Sequence, residues 1–269
     1  MADPIISVNG LTVEYEGKRV LDGVSLDIEP GEVMVLVGGS GSGKTTMLRH
    51  IIGLERPTSG TVRVRGVDIN ACSAEELMAI RRTMGVAFQE CALFNSLSLE
   101  ENIELPLREL TNLADPVIEI MTYMKLAAVG LGDTGKLMPR ELSGGMKKRA
   151  AVARATALDP EILVFDEPSA GLDPIIAAGL DELILFLKKA FQMTVLVVSH
   201  ELASAFRIAD RIAMLDRGSL IAVDRKDAFR KNANPRIRQF LDRVADPITE
   251  SPIVQEHIRE LAGLPGAKT

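Results

Sequence analysis

Val33-Met34-Val35-Leu36-Val37 runs directly into Gly38-Gly39-Ser40-Gly41-Ser42-Gly43-Lys44-Thr45, and this junction decides the fold. Five consecutive apolar residues predict a strand covered on both faces. The run that follows fits G-x-x-x-x-G-K-[ST] between that strand and a helix predicted over 45 to about 52. Glycines let the backbone curl until successive N–H groups converge, and a helix N-terminus adds partial positive charge at the same point. Such a loop cradles phosphate. In this pattern the Lys44 ammonium reaches the β- and γ-phosphates, the Thr45 hydroxyl is placed to ligate Mg²⁺, and Thr46 bonds the α-phosphate.

Two further apolar runs, 162–165 and 195–198, also read as buried strands. The first delivers Asp166-Glu167-Pro168 and the second Ser199-His200. Ligands of parallel α/β sheets bind beyond the carboxyl ends of the strands, so the three runs predict one shared site. Asp166 is the candidate to hold Mg²⁺, usually through water, and Glu167 the candidate general base for the water that attacks a γ-phosphate. A second anion site is written into Leu142-Ser143-Gly144-Gly145-Met146, which precedes an Ala- and Arg-rich stretch over 147–156. Ser143 falls near the N-cap there, and Gly144 and Gly145 leave N–H groups uncovered.

The expected fold class is α/β: a phosphate-loop sheet core, an inserted helical subdomain over about 90–157, and a C-terminal helical extension. Ser73 with Glu76 and Ser98 with Glu101 each fit a capping box, and Asp115-Pro116 opens another helix to about 129. Leu11, Val13 and Tyr15 alternate with polar residues as one face of an early strand, and 220–223 is the last strand signal. The domain reading is 4–224 for the core and 225–269 for the extension. The extension is basic over 225–243, and Ile237, Phe240, Leu241 and Val244 fall on one helical face. The bland expectation is a short helix packed on its own domain; the sharper one docks this tail, with 251–261, on a second copy or a small partner.

Taken together, the phosphate loop, Leu142-Ser143-Gly144-Gly145, Asp166-Glu167, Gly171-Leu172-Asp173 and His200 stand in the order seen in ABC-type ATPases, and over about 5–223 the chain resembles that family. The resemblance implies that ATP is the substrate, Mg²⁺ the cofactor and a second copy of the chain a partner, in a head-to-tail dimer. Each ATP then lies between the phosphate loop of one protomer and Ser143, Gly144 and Gly145 of the other. Residue by residue, Tyr15 matches the aromatic that stacks on adenine. Gln89 matches the glutamine that approaches Mg²⁺ and the attacking water and links the site to the membrane partner. Asp173 matches the aspartate that contacts the opposing protomer, and His200 the histidine that bonds the γ-phosphate. Met146 departs from the usual glutamine and removes an amide's hydrogen bonds.

Three segments, 88–97, 136–146 and 235–242, are similar to the Mla-type subgroup, whose members power phospholipid traffic between the inner and outer membranes. That likeness implies an integral membrane permease, an MCE-domain lipid-binding protein and a STAS-domain protein as partners. It implies a place on the cytoplasmic face of the inner membrane. Another transport substrate, or a non-transport ABC ATPase acting on ribosomes or DNA, is the competing expectation. Composition bears on the last of these. The 269 residues carry 31 basic and 37 acidic side chains, a net charge of −6, which argues against a nucleic-acid partner. Hydrophobic residues make up 46%, ample for a core without disulfides, and Cys72 and Cys91 read as free thiols. Met1-Ala2-Asp3-Pro4 has no basic region or apolar signal core, and no apolar run reaches the ~18 residues of a membrane span.

Overall fold

The structure is a computed structural model that describes residues 3–245. The chain divides into a large unit up to Asn232 and a second unit from Ala233. The large unit opens with an antiparallel hairpin, β1 (Ile6–Tyr15) and β2 (Lys18–Ile28), whose alternating burial places Leu11 and Val13 in the core. Tyr15, at the end of β1, is 43% exposed, so the inward face stops one alternation short of it. The next strand, β3 (Val33–Val37), is buried at every residue and leads into α1 (Lys44–Ile51). β4 (Ser59–Val64) and β5 (Val67–Asp68) complete a sheet of order β2-β1-β4-β5. The sequence pattern alone does not separate this antiparallel layer from the main sheet.

After it come α2 (Ala74–Arg82) and β6 (Met84–Ala87). A helical segment follows, built from α3 (Leu99–Leu110), α4 (Asp115–Ala128), two short 3₁₀ turns and α5 (Gly144–Ala155). Both expected capping boxes are formed: Ser73 and Ser98 accept from the Glu76 and Glu101 N–H groups, and the two carboxylates accept in return from the Ser73 and Ser98 N–H groups. The chain then re-enters the sheet through β7 (Ile162–Asp166), α6 (Pro174–Phe191), β8 (Thr194–Val198), α7 (Leu202–Ile208), β9 (Arg211–Asp216) and β10 (Ser219–Arg225). α8 (Lys226–Arg230) closes the unit and buries Phe229 completely against Phe206, ring centroids 6.4 Å apart.

Among the described residues, six strands form the main sheet in the order β10-β9-β3-β8-β7-β6. β6, β7, β8, β3 and β9 are mutually parallel, and only β10 runs against its neighbour. Burial of both faces explains why β3, β7 and β8 read as unbroken apolar runs, and on one of them Leu36, Val164 and Leu196 share a core with α1 and the antiparallel sheet. The register puts Asp166 opposite Val198 and Val198 opposite Leu36. The strand ends carrying Gly38, Asp166-Glu167 and Ser199-His200 therefore lie side by side, with Gln89 beyond the adjoining end of β6.

In the second unit, α9 (Pro235–Leu241) is capped by the Asn234 side chain, which accepts from the Arg236 N–H at 2.9 Å. Val244 lies past the end of this helix and is exposed, so the apolar stripe proposed from spacing does not extend to it. Residues 251–261, assigned a docking role from sequence, lie outside the described residues. Among the described residues no helix is long and apolar enough to cross a membrane.

Candidate active site

The phosphate loop is shaped by two glycines that admit no side chain. Gly43 is the N-cap of α1 at φ +101°, and a Cβ there would meet Leu21 Cδ2 at 2.6 Å. A Cβ on Gly38 would meet the Leu215 carbonyl oxygen at 2.3 Å. Because the cap is glycine, α1 begins with no side-chain acceptor on its first N–H groups and no acidic residue in its first turn. Such uncapped donors suit an anion. Met47, Leu48 and Ile51 anchor the helix in the core, and His50 binds the Thr46 carbonyl through Nδ1 at 2.8 Å.

Lys44 is buried and folds back over its own loop, donating from Nζ to the Gly38 and Gly39 carbonyls at 2.9 and 3.0 Å. Burial lowers its pKa, and the neighbouring Glu167 and Asp166 charges oppose that shift. Ser42 Oγ is buried with no hydrogen-bond partner, whereas Ser40, Gly41 and Thr45 are exposed. Asp166 is buried at the end of β7, and its pKa is raised, first by burial and then by the Glu167 charge. The nearby Thr45 hydroxyl opposes that shift, and Oδ1 has no hydrogen-bond partner. A buried carboxylate oxygen without a donor, beside a hydroxyl, fits a hard divalent cation with oxygen ligands.

Glu167, 9% exposed, has φ +49°, and this turn separates its side chain from that of Asp166. Its Oε2 accepts from the His200 main-chain N–H at 3.3 Å and lies 2.7 Å from His200 Nδ1. The histidine side chain is otherwise half exposed, with Nε2 3.8 Å from Glu201 Oε1. The fold thus joins β7 and β8 through the two residues picked from sequence. Gln89 is exposed in the turn after β6, and its carbonyl accepts from Lys148 Nζ at 2.6 Å.

The remaining candidates sit on helix starts or apart. Ser143 is the N-cap of α5 and accepts from the Met146 N–H at 3.3 Å. Ser143 and Gly144 are exposed, whereas Gly145 is buried, and a Cβ on it would meet Ile176 Cγ2 at 2.8 Å. Asp173 caps α6, accepting from the Ile175 and Ile176 N–H groups, both at 3.0 Å. Tyr15 donates its phenol to Glu55, and burial together with that carboxylate pushes its pKa up to about 12. Glu55 also pairs with Arg49 of α1 at 3.2 Å, so the aromatic is tied to the helix that follows the phosphate loop. Sequence reasoning did not single out Lys148 or Glu55. Both act across long separations in sequence, and neither stands in a pattern.

This arrangement suits a nucleoside triphosphate, and comparisons with known proteins give the family. A family model described as ABC transporter matches residues 21–170. The chain belongs to the ABC transporter family, and the relatives it matches are that family's ATP-binding proteins. The chain is similar to the intermembrane phospholipid transport system ATP-binding protein MlaF of Escherichia coli, 43% identical over 242 residues, 90% of each chain. It is also similar to the probable ribonucleotide transport ATP-binding protein mkl of Mycobacterium tuberculosis, 44% identical over 237 residues. That match covers 88% of this chain but 66% of mkl, so the chain spans just under two thirds of that relative's length. Among solved structures it resembles a dimeric post-hydrolysis state of the ATP-binding cassette MJ0796 bound to ADP and Pi. The TM-score is 0.75 at 30% identity, covering 82% of this chain and 98% of that one.

Proposed function

We propose that the chain powers phospholipid trafficking between the inner and outer membranes, as the ATPase of a transporter with a membrane permease. The carrying observation is the match to MlaF along 90% of both chains, against 66% of mkl. The partners that go with this reading are a second copy of the chain, the permease, an MCE-domain lipid-binding protein and a STAS-domain protein. The chain then sits on the cytoplasmic face of the inner membrane, held there by the permease.

In this reading the loop N–H groups over 38–46 and the start of α1 bind the phosphates of ATP, and Lys44 leaves the Gly38 and Gly39 carbonyls for the β- and γ-phosphates. Thr45, Asp166 and Gln89 would hold Mg²⁺, and the ion would supply positive charge beside the β- and γ-phosphate oxygens. Glu167 takes a proton from water as its oxygen attacks the γ-phosphorus and the bond to ADP breaks. Oε2 is held by His200, which leaves the other carboxylate oxygen for that water. Tyr15 offers an exposed ring to adenine. Ser143 and Gly144, exposed at the start of α5, face the ATP of the opposing copy, and Asp173 meets that copy beside them. Gly145 contributes by allowing the close packing of α5 on Ile176.

Purification of the tagged chain from its native membranes in mild detergent tests the substrate assignment. Recovery of a permease with an MCE-domain protein supports it. Recovery of a permease with a nucleotide-binding or other solute-binding protein moves the cargo elsewhere and leaves the ATPase reading intact.

A further inference from the structure

The main chain after Gln89 takes an unusual path: Cys91 and Ala92, neither of them glycine, have φ of +62° and +49°. Left-handed conformations of ordinary residues cost about 1–3 kcal/mol each and persist where the surroundings over-determine them. One cation of α5 grips these two residues, and a second grips Gln89 just before them. Arg154 donates from Nη1 to the Ala92 carbonyl at 2.7 Å and from Nη2 to the Cys91 carbonyl at 3.1 Å. Lys148 donates from Nζ to the Gln89 carbonyl at 2.6 Å and also to the Glu167 carbonyl at 3.3 Å. Glu167 is itself left-handed, at φ +49°. One ammonium therefore joins the main chains of two residues that come from the ends of different strands, β6 and β7. That same helix begins at Ser143.

We infer that Lys148 is a positioning residue for ATP hydrolysis: it fixes the Glu167 and Gln89 main chains relative to each other. This rests on the roles given to Glu167 and Gln89 above. The two carbonyls lie in exposed and part-buried surroundings, so water replaces the ammonium at small cost to stability. Water does not hold the two chains at one distance. A loss of Lys148 therefore shows in turnover rather than in folding or nucleotide binding.

The test compares Lys148→Met and Lys148→Arg in the full chain, with thermal unfolding recorded for each. Lys148→Met lowers kcat about tenfold and leaves the ATP KM within about twofold, because small misplacements of a catalytic group act on the chemical step. Lys148→Arg, which keeps two or more donors, recovers most of the loss. Unchanged kcat in Lys148→Met overturns the inference. So does a fall in kcat that tracks a fall in melting temperature and is not rescued by arginine. Glu167→Gln is measured alongside: if that variant turns over normally, the assignment of the base has failed, whereas a dead Glu167→Gln beside an active Lys148→Met refutes the positioning role alone.

Discussion

Asn102 offers a sharp test of how the segment after the Gln89 turn is held. It lies on α3, is fully buried, and uses its whole amide on the preceding loop. Oδ1 accepts from the Phe94 N–H at 2.8 Å, and Nδ2 donates to the carbonyls of Phe94, Leu97 and Ser98 at 3.1, 3.2 and 2.9 Å. Asn102→Leu preserves shape and removes all four bonds. The Phe94 carbonyl keeps the Leu97 N–H and the Ser98 carbonyl keeps the Asn102 N–H, so the groups stranded are the Phe94 N–H and the Leu97 carbonyl. Both groups are part-buried, and each costs about 1–3 kcal/mol when stranded. The added apolar surface returns about 1–2 kcal/mol. The net expectation is a loss of about 2–3 kcal/mol in unfolding free energy, or roughly 5–10 °C in melting temperature for a chain of this size. Urea titration followed by far-ultraviolet circular dichroism measures it. A change below about 0.5 kcal/mol, within the range of ordinary surface substitutions, refutes the reasoning.

Three further outcomes follow from the site. Asp166 has a raised pKa, from burial first and the Glu167 charge second, so the native chain holds a proton there at pH values where the unfolded chain has lost it. Stability from this group is then greatest below the ordinary carboxylate value of about 4 and is lost as pH rises through the raised one. Asp166→Asn should therefore unfold at higher urea than the wild type at pH 7, with the gap closing toward pH 4, while Mg²⁺-dependent turnover disappears. Lys44→Ala removes the ammonium folded over the phosphate loop and should weaken ATP binding by tenfold or more, roughly the worth of one charge-assisted contact, as read by titration calorimetry. Gly85→Ala places a Cβ 2.0 Å from the Ala155 carbonyl oxygen, so β6 and the end of α5 must part. A loss of about 2 kcal/mol or more in the same urea assay is expected, as for other overpacked sites.

Much of this site is legible in the sequence because its parts are local. The glycine loop, the strand-end carboxylates and the two capping boxes each occupy a few consecutive residues whose types are set by backbone geometry or charge. The sheet order that brings Gly38, Asp166, Glu167 and His200 together follows from buried parallel strands delivering polar groups at one edge. Other features left no local mark. The antiparallel sheet depends on pairing β1 with β4, a long-range register that alternation alone does not specify. Gly85 reads as an ordinary strand residue until α5 is laid across it. Lys148 and Arg154 look like two members of a basic helix, and their bonds to the turn after β6 span 59 to 63 residues. Tyr15 was placed as an aromatic at a strand end, but its tie to Glu55 lies outside any pattern.

Hydrolysis in this mechanism depends on Glu167 as the base that activates water. The direct measurement is ATP turnover and ATP binding in Glu167→Gln, with the oligomeric state followed by light scattering in the presence of Mg²⁺ and ATP. The structure places this carboxylate beside His200 and next to a cation-ready Asp166, so the amide should bind ATP, lose hydrolysis by at least about 100-fold and accumulate as an ATP-bound dimer. Near-normal turnover in that variant would remove Glu167 from the mechanism and contradict the account.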